Sequence, residues 1–135
     1  MPEPDHDVFE MTVLVRPDDI DEQEHVNNTV HLRWVQEVAV AHWRALAPPE
    51  AQAEIAWVVL RHEIDYKAPA GLGDEILLRT WVGEASGLKF ERLTQILRKR
   101  DGQAVARART LWVPINIKTG KPTRVSAEVR EKFSV

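Results

Sequence analysis

Residues 16–46 decide the fold: Arg16-Pro-Asp-Asp-Ile-Asp-Glu-Gln-Glu-His-Val-Asn-Asn28 runs directly into Thr-Val-His-Leu-Arg-Trp-Val-Gln-Glu-Val-Ala-Val-Ala-His-Trp-Arg-Ala-Leu46. The first half carries five carboxylates, Asp18, Asp19, Asp21, Glu22 and Glu24, together with Pro17, and reads as a loop rather than a regular element. In the second half the apolar period is 3.6. Val30, Trp34, Val38, Ala41 and Ala45 form one stripe, flanked by Val35 and His42, which predicts a long amphipathic helix over 28–46. The short amide of Asn27 or Asn28 suits the N-cap because its oxygen can accept a free backbone N–H. Pro48-Pro49 ends the helix by removing donors and forcing extended geometry.

Outward from this helix the chain reads as strands. Before it, Phe9, Met11, Val13 and Val15 alternate with polar residues, Leu14 being the apolar exception. After it come Ile55–Tyr66, Asp74–Glu84, Leu88–Arg100 and Gln103–Ile117, divided by turn chemistry at Pro69–Gly73 and Ala85–Gly87 and by a two-residue hairpin at Asp101-Gly102. Ala104, Ala106, Ala108, Thr110 and Trp112 share one face of the last strand, and its small residues let a helix lie close. Lys118–Pro122 makes a further turn, and Ser126 can cap a short final helix ending near Phe133. The order implies an α+β domain in which a mostly antiparallel sheet of about five strands wraps one long helix. Such a sheet leaves edges and an outer face in need of partners, so self-association is expected.

With 135 residues the chain has room for one domain, spanning 1–135. Its formal charge of −3 gives no reason to expect nucleic acid or an anionic membrane as a partner. The absence of cysteine excludes disulfides, thiolate catalysis and cysteine metal sites. The acidic opening, Met1 to Glu10, lacks the basic and apolar regions of a signal peptide, and no apolar run approaches the roughly 18 residues that span a bilayer. A cytoplasmic protein without membrane insertion is the expectation.

Several motifs fail on inspection. His62-Glu63 has no second histidine four residues on, Gly71-Leu-Gly73 has Ile76 where a dinucleotide fingerprint needs glycine, and Ser86 sits between strands with the wrong spacing for a nucleophile elbow. His31 and His42, about three helical turns apart, cannot share a metal and read as core histidines. The five tryptophans read as core and interface bulk.

One constellation survives. A helix N-terminus presents free N–H groups and about half a positive charge, suited to negative charge growing on a carbonyl oxygen. A carboxylate just upstream can activate water or attack the same carbonyl. A thiolate, with a pKa near the ~8.5 of cysteine, leaves without a dedicated acid, so a thioester fits these parts. Asp19, Asp21, His25, Val26, Asn27 and Asn28 match R-x-x-D-x-D-x-x-G-H-V-N-N, and the segment resembles the signature of hot-dog-fold acyl-CoA thioesterases of the 4-hydroxybenzoyl-CoA thioesterase-like family. Glu63–Pro69, Gly73–Glu75 and Thr119–Pro122 also look like family segments in family order. The chain departs from the pattern at Glu24, which stands where the family usually has glycine.

The resemblance implies a sheet-wrapped helix, active sites at the interface of a homodimer or tetramer, and an acyl-CoA substrate whose coenzyme A is no separate cofactor. It also implies no metal. The catalytic carboxylate falls on Asp21, the polarising N–H near Asn28, and the turn is shaped by His25 and Asn27; a second branch of the fold places its carboxylate on the helix, at Glu37 here. Arg98, Lys99 and Arg100, with Arg107 and Arg109 across the hairpin, are the richest local charge for coenzyme A phosphates. The alternatives are a non-catalytic acyl-thioester-binding subunit, with Glu24 disabling the site, and an acyl-carrier-protein thioesterase whose partner docks on Arg98–Arg100.

Overall fold

The computed structural model describes residues 8–135; most of the acidic opening segment lies outside the described residues. In chain order the elements are β1 (Phe9–Leu14), α1 (Asn28–Leu46), α2 (Pro49–Glu54), β2 (Ile55–Tyr66), β3 (Glu75–Ser86), β4 (Lys89–Arg98), β5 (Ala104–Asn116) and α3 (Ala127–Lys132). The five strands form one antiparallel sheet in the order β1-β3-β4-β5-β2. That is the expected α+β architecture.

The core lies between α1 and the concave sheet face. Val30, Trp34, Val35 and Val38 pack with Ile76 and Leu78 of β3, Ile96 of β4, and Val105, Ala106 and Ala108 of β5. The two alanines are the small residues that bring sheet and helix together. Trp34 is 1 % exposed, so its loss to alanine would cost about 3–5 kcal/mol in transfer and cavity terms. A second cluster joins Ala47, Ala51, Val82, Phe90, Val129 and Phe133, with Trp43 and Trp57 against it. Here α3, capped by Ser126 through the Val129 N–H, closes over the C-terminal half of α1.

Four sequence expectations are corrected. The buried helix face runs through Val30, His31, Trp34, Val35, Val38, Ala39 and His42, while Ala45 is exposed and Ala41 half-buried, because in the last turns it is His42 that reaches Phe9 of β1, Arg92 of β4 and Phe133. Pro49 does not begin extended chain: it is the first residue of α2, where a missing N–H costs nothing. The acidic segment holds a 3-10 turn at Pro17–Asp19 and a bridge between Ile20 and Val26. Finally, the Arg98 N–H reaches the Gln103 carbonyl and the Gly102 N–H returns to Arg98, so the hairpin loop has four residues and not two, with Gly102 at φ +70°.

Strands β1 and β2 are the sheet edges. Along β2, Val59 pairs with Trp112 and Arg61 with Leu111, so Leu60 is an extra residue, and Val58 and Leu60 stand exposed. No described helix is long and apolar enough to cross a membrane.

Candidate active site

The loop 16–27 is organised around two aspartates with different fates. Asp19 is buried: its Oδ2 accepts the Arg16 N–H at 3.0 Å and its Oδ1 accepts Arg33 Nη2 at 2.9 Å. Burial alone would raise its pKa, but the Arg16 N–H and the Arg33 guanidinium outweigh it and hold the carboxyl below the usual aspartate range. Its carbonyl also accepts the Asn27 N–H at 2.8 Å, which ties the loop to the helix start. Asp19 is therefore a staple, with the Arg33 guanidinium as its ion-pair partner.

Asp21 is half-exposed. Its Oδ1 accepts the Gln23 N–H at 2.9 Å and the His25 N–H at 3.3 Å, and its own N–H donates to the His25 carbonyl at 2.8 Å. One carboxylate oxygen is thus fixed by the backbone, while Oδ2 meets no donor among the described residues. The turn between them requires Glu24 at φ +64°, the left-handed region that favours glycine. The family's usual glycine therefore has a backbone cause, and Glu24 adopts the same conformation with a side chain.

At the helix start Asn27 is the N-cap, its Oδ1 accepting the Thr29 N–H at 2.9 Å and Thr29 Oγ1 at 2.8 Å. The Val30 N–H turns back to the Asn27 carbonyl. That leaves the exposed Asn28 N–H without an acceptor among the described residues, at the positive end of a 19-residue helix. Tyr66 Oη donates to the Asn28 carbonyl at 3.1 Å, and the edge of His31 meets Tyr66, so the end of β2 braces this turn. His31 lies against the Asn27 carbonyl, and its burial lowers its pKa despite the Asn27 and Asn28 carbonyls.

The sequence-predicted residues Asp21, His25, Asn27 and Asn28 thus fall on one turn. His25 enters it through its backbone, and its ring makes no hydrogen bond among the described residues. Glu37 lies elsewhere, on the solvent face of α1, paired with Arg33 at 3.3 Å. The three hairpin cations are each matched: Arg98 with Asp101 at 2.8 Å, Arg100 with Asp74 at 2.8 Å, and Lys99 with Glu75 at 3.6 Å. Sequence reading missed Arg33 and Tyr66, which reveal themselves only through contacts distant in the chain. It also passed over Arg92, although strict alternation with Phe90 and Ile96 places that arginine on the inward face of β4.

Chemically, a carboxylate anchored on one oxygen and an uncapped N–H at a helix start supply a base or nucleophile and an electrophilic contact for a carbonyl. The model of the Thioesterase-like superfamily matches residues 15–133. The long-chain acyl-CoA thioesterase FadM of Escherichia coli is 32 % identical over 127 residues, covering 90 % of this chain and 93 % of that protein. The solved structure of YbaW, a probable thioesterase from Escherichia coli, superposes with a TM-score of 0.77 at 29 % identity, over 92 % of this chain and 95 % of that one. Slr0204, a 1,4-dihydroxy-2-naphthoyl-CoA thioesterase from Synechocystis, shares the fold with a TM-score of 0.80 at 22 % identity, over 94 % and 96 % of the two chains.

Proposed function

Because the chain belongs to the thioesterase-like superfamily, we propose that it hydrolyses an acyl-CoA thioester to the free acid and coenzyme A, with Asp21 as base or nucleophile. The observation that carries this reading is the pairing, on one braced turn, of the half-free Asp21 carboxylate with the acceptor-less Asn28 N–H. The thioester oxygen takes the Asn28 N–H, and the helix start stabilises the charge that grows there. Asp21 either removes a proton from the attacking water, whose addition breaks the C–S bond to give acid and thiolate, or adds to the carbonyl itself, expelling the thiolate and leaving an acyl anhydride that water hydrolyses to the acid and free Asp21. The similarity to a long-chain acyl-CoA thioesterase supports coenzyme A as the carrier.

Lys99 has only a 3.6 Å ion pair with Glu75, whereas Arg98 and Arg100 each hold a carboxylate at 2.8 Å, so of these three it is the cation freest to turn to a coenzyme A phosphate. Two copies joined along the unpaired edge of β2 would bury its exposed Val58 and Leu60 and complete the sheet. Light scattering tests that assembly.

The decisive assay is thiol release from short, long and aromatic acyl-CoAs by the wild type, Asp21→Ala and Glu37→Ala, each verified as folded. Asp21→Ala should lose about 10²–10⁴ in turnover, while Glu37→Ala, which breaks a surface pair, stays within a few-fold. The reverse pattern would move the carboxylate onto the helix. Binding without turnover would leave the non-catalytic acyl-thioester-binding subunit or a carrier-protein substrate.

A further inference from the structure

A cavity of about 380 Å³ lies at the other end of α1, between its C-terminal half, β2, β4, β5 and α3. That is within the size range of small-molecule sites. Ala39, the first wall residue along α1, is about 16 Å along the helix axis from Asn28, so this space is separate from the Asp21 turn. The walls are apolar and aromatic, with Trp43, Trp57, Phe90, Val129 and Phe133 prominent.

One buried wall residue breaks the pattern. Arg92 takes an inward position on β4 and is 8 % exposed. Its Nη1 reaches His42 Nδ1 at 2.9 Å and Thr80 Oγ1 at 3.2 Å. Both are neutral partners: burial first, and the adjacent Arg92 charge second, push the His42 pKa down to about 3. Among the described residues no carboxylate lies within ion-pairing distance of Arg92, and its Nε and Nη2 meet no acceptor. Burial lowers the Arg92 pKa only to about 10, so the guanidinium stays charged at neutral pH. The acidic side chain among the lining residues, Glu91, is held by Arg109, whereas Arg44 and Arg130 add positive charge to the rim.

A buried guanidinium without a counter-charge is costly, such local violations concentrate at functional sites, and an anionic ligand would offset the cost here. We infer that this cavity binds an aliphatic chain ending in a carboxylate, with the carboxylate on Arg92 and the chain among the aromatic walls. The ligand is either a free fatty acid or the far end of an ω-carboxyacyl substrate. The inference does not depend on Asp21 chemistry, because it is tested by binding.

Decanoate is the probe, with its methyl ester and decylamine as controls of equal chain length. Trp43, Trp57 and Trp112 line the cavity, so intrinsic fluorescence reports occupancy. The expected result is saturable binding of decanoate about tenfold or more tighter than either control, a preference that collapses in Arg92→Met. Should Arg92→Met fail to fold, Val125→Trp, which fills the cavity from its half-buried wall, must abolish decanoate binding instead. Absent binding, equal binding of ester and acid, or a preference retained in Arg92→Met would overturn the inference. Matched acyl-CoAs with and without an ω-carboxylate separate the two sources: an Arg92-dependent kcat/KM preference identifies the substrate tail, and indifferent turnover beside tight decanoate binding identifies a free acid. Loss of all turnover with decanoate binding intact would count against the thioesterase reading alone.

Discussion

Replacing Glu24 by glycine should stabilise the protein. At φ +64° an L-residue carries a left-handed penalty of about 1 kcal/mol, which glycine does not. Glycine's larger unfolded-state entropy takes back roughly half of that gain. Relieving an exposed negative charge beside Asp21 and Glu22 adds only a few tenths of a kcal/mol in water. The net expectation is a gain of about 0.5–1 kcal/mol, or about 2–5 °C in Tm for a chain of this size. Thermal melts followed by circular dichroism, at one fixed protein concentration because any self-association would shift Tm, provide the measurement. Glu24→Ala is the control: it removes the charge but keeps the backbone conformation, so its Tm should move by no more than about 1–2 °C. If alanine stabilises as much as glycine, the cause is charge and the backbone explanation is wrong; if glycine does not stabilise at all, Glu24 makes compensating interactions and the same explanation fails.

Asp19→Ala removes two hydrogen bonds to a buried carboxylate, one of them charge-assisted from a half-exposed arginine, and should lower the unfolding free energy in urea by about 2 kcal/mol. A loss below about 0.5 kcal/mol would show that the loop holds without its staple. Stability should also fall on mild acidification. His42 has a folded pKa of about 3 against 6.5 unfolded, so the unfolded chain binds more protons between those values. Its contribution is present above the unfolded value and is lost as pH falls toward the folded one, at up to about 1.4 kcal/mol per unit. Between about pH 7.5 and 5.5 the urea-extrapolated stability should drop by about 1.4 kcal/mol from this group, with buried His31 and half-buried His62 shifted in the same sense. In His42→Gln the drop should shrink; an unchanged slope would acquit His42.

Periodicity and turn chemistry located the long helix and all five strands because both are local. The limits of α1 and β2, the Asn27 cap and the Ser126 cap follow from residues adjacent to them. The hairpin loop at Asp101-Gly102 was less legible, since a left-handed glycine closes a four-residue loop as readily as a two-residue one. Within the candidate site, the family resemblance put the carboxylate on Asp21 and the polarising N–H near Asn28, but the residues by themselves gave no reason to separate Asp19 from Asp21. That distinction depends on Arg33, a helical turn into α1, and on which carboxylate faces inward. The hairpin arginines show the complementary failure: composition counts their positive charge but cannot see that Asp74, Glu75 and Asp101 face them. Arg92 was legible by alternation alone, but the cavity beside it is made by α3, some forty residues away in the chain.

The sheet order has a consequence for the chain as it is made. Strand β2 pairs with β5 and with no other strand, and its partner residues stand about fifty positions later, as His62 opposite Thr110 shows. A growing chain therefore carries β2 unpaired until the last strand has left the ribosome, with apolar Val58 and Leu60 at the edge where intermolecular strand pairing begins. Strands β3 and β4 can close as a hairpin meanwhile, but the helix lacks the β5 alanines on which it rests. Commitment to the native core is thus set by the C-terminal third, and chains stalled before Ala104 are the species a chaperone must hold.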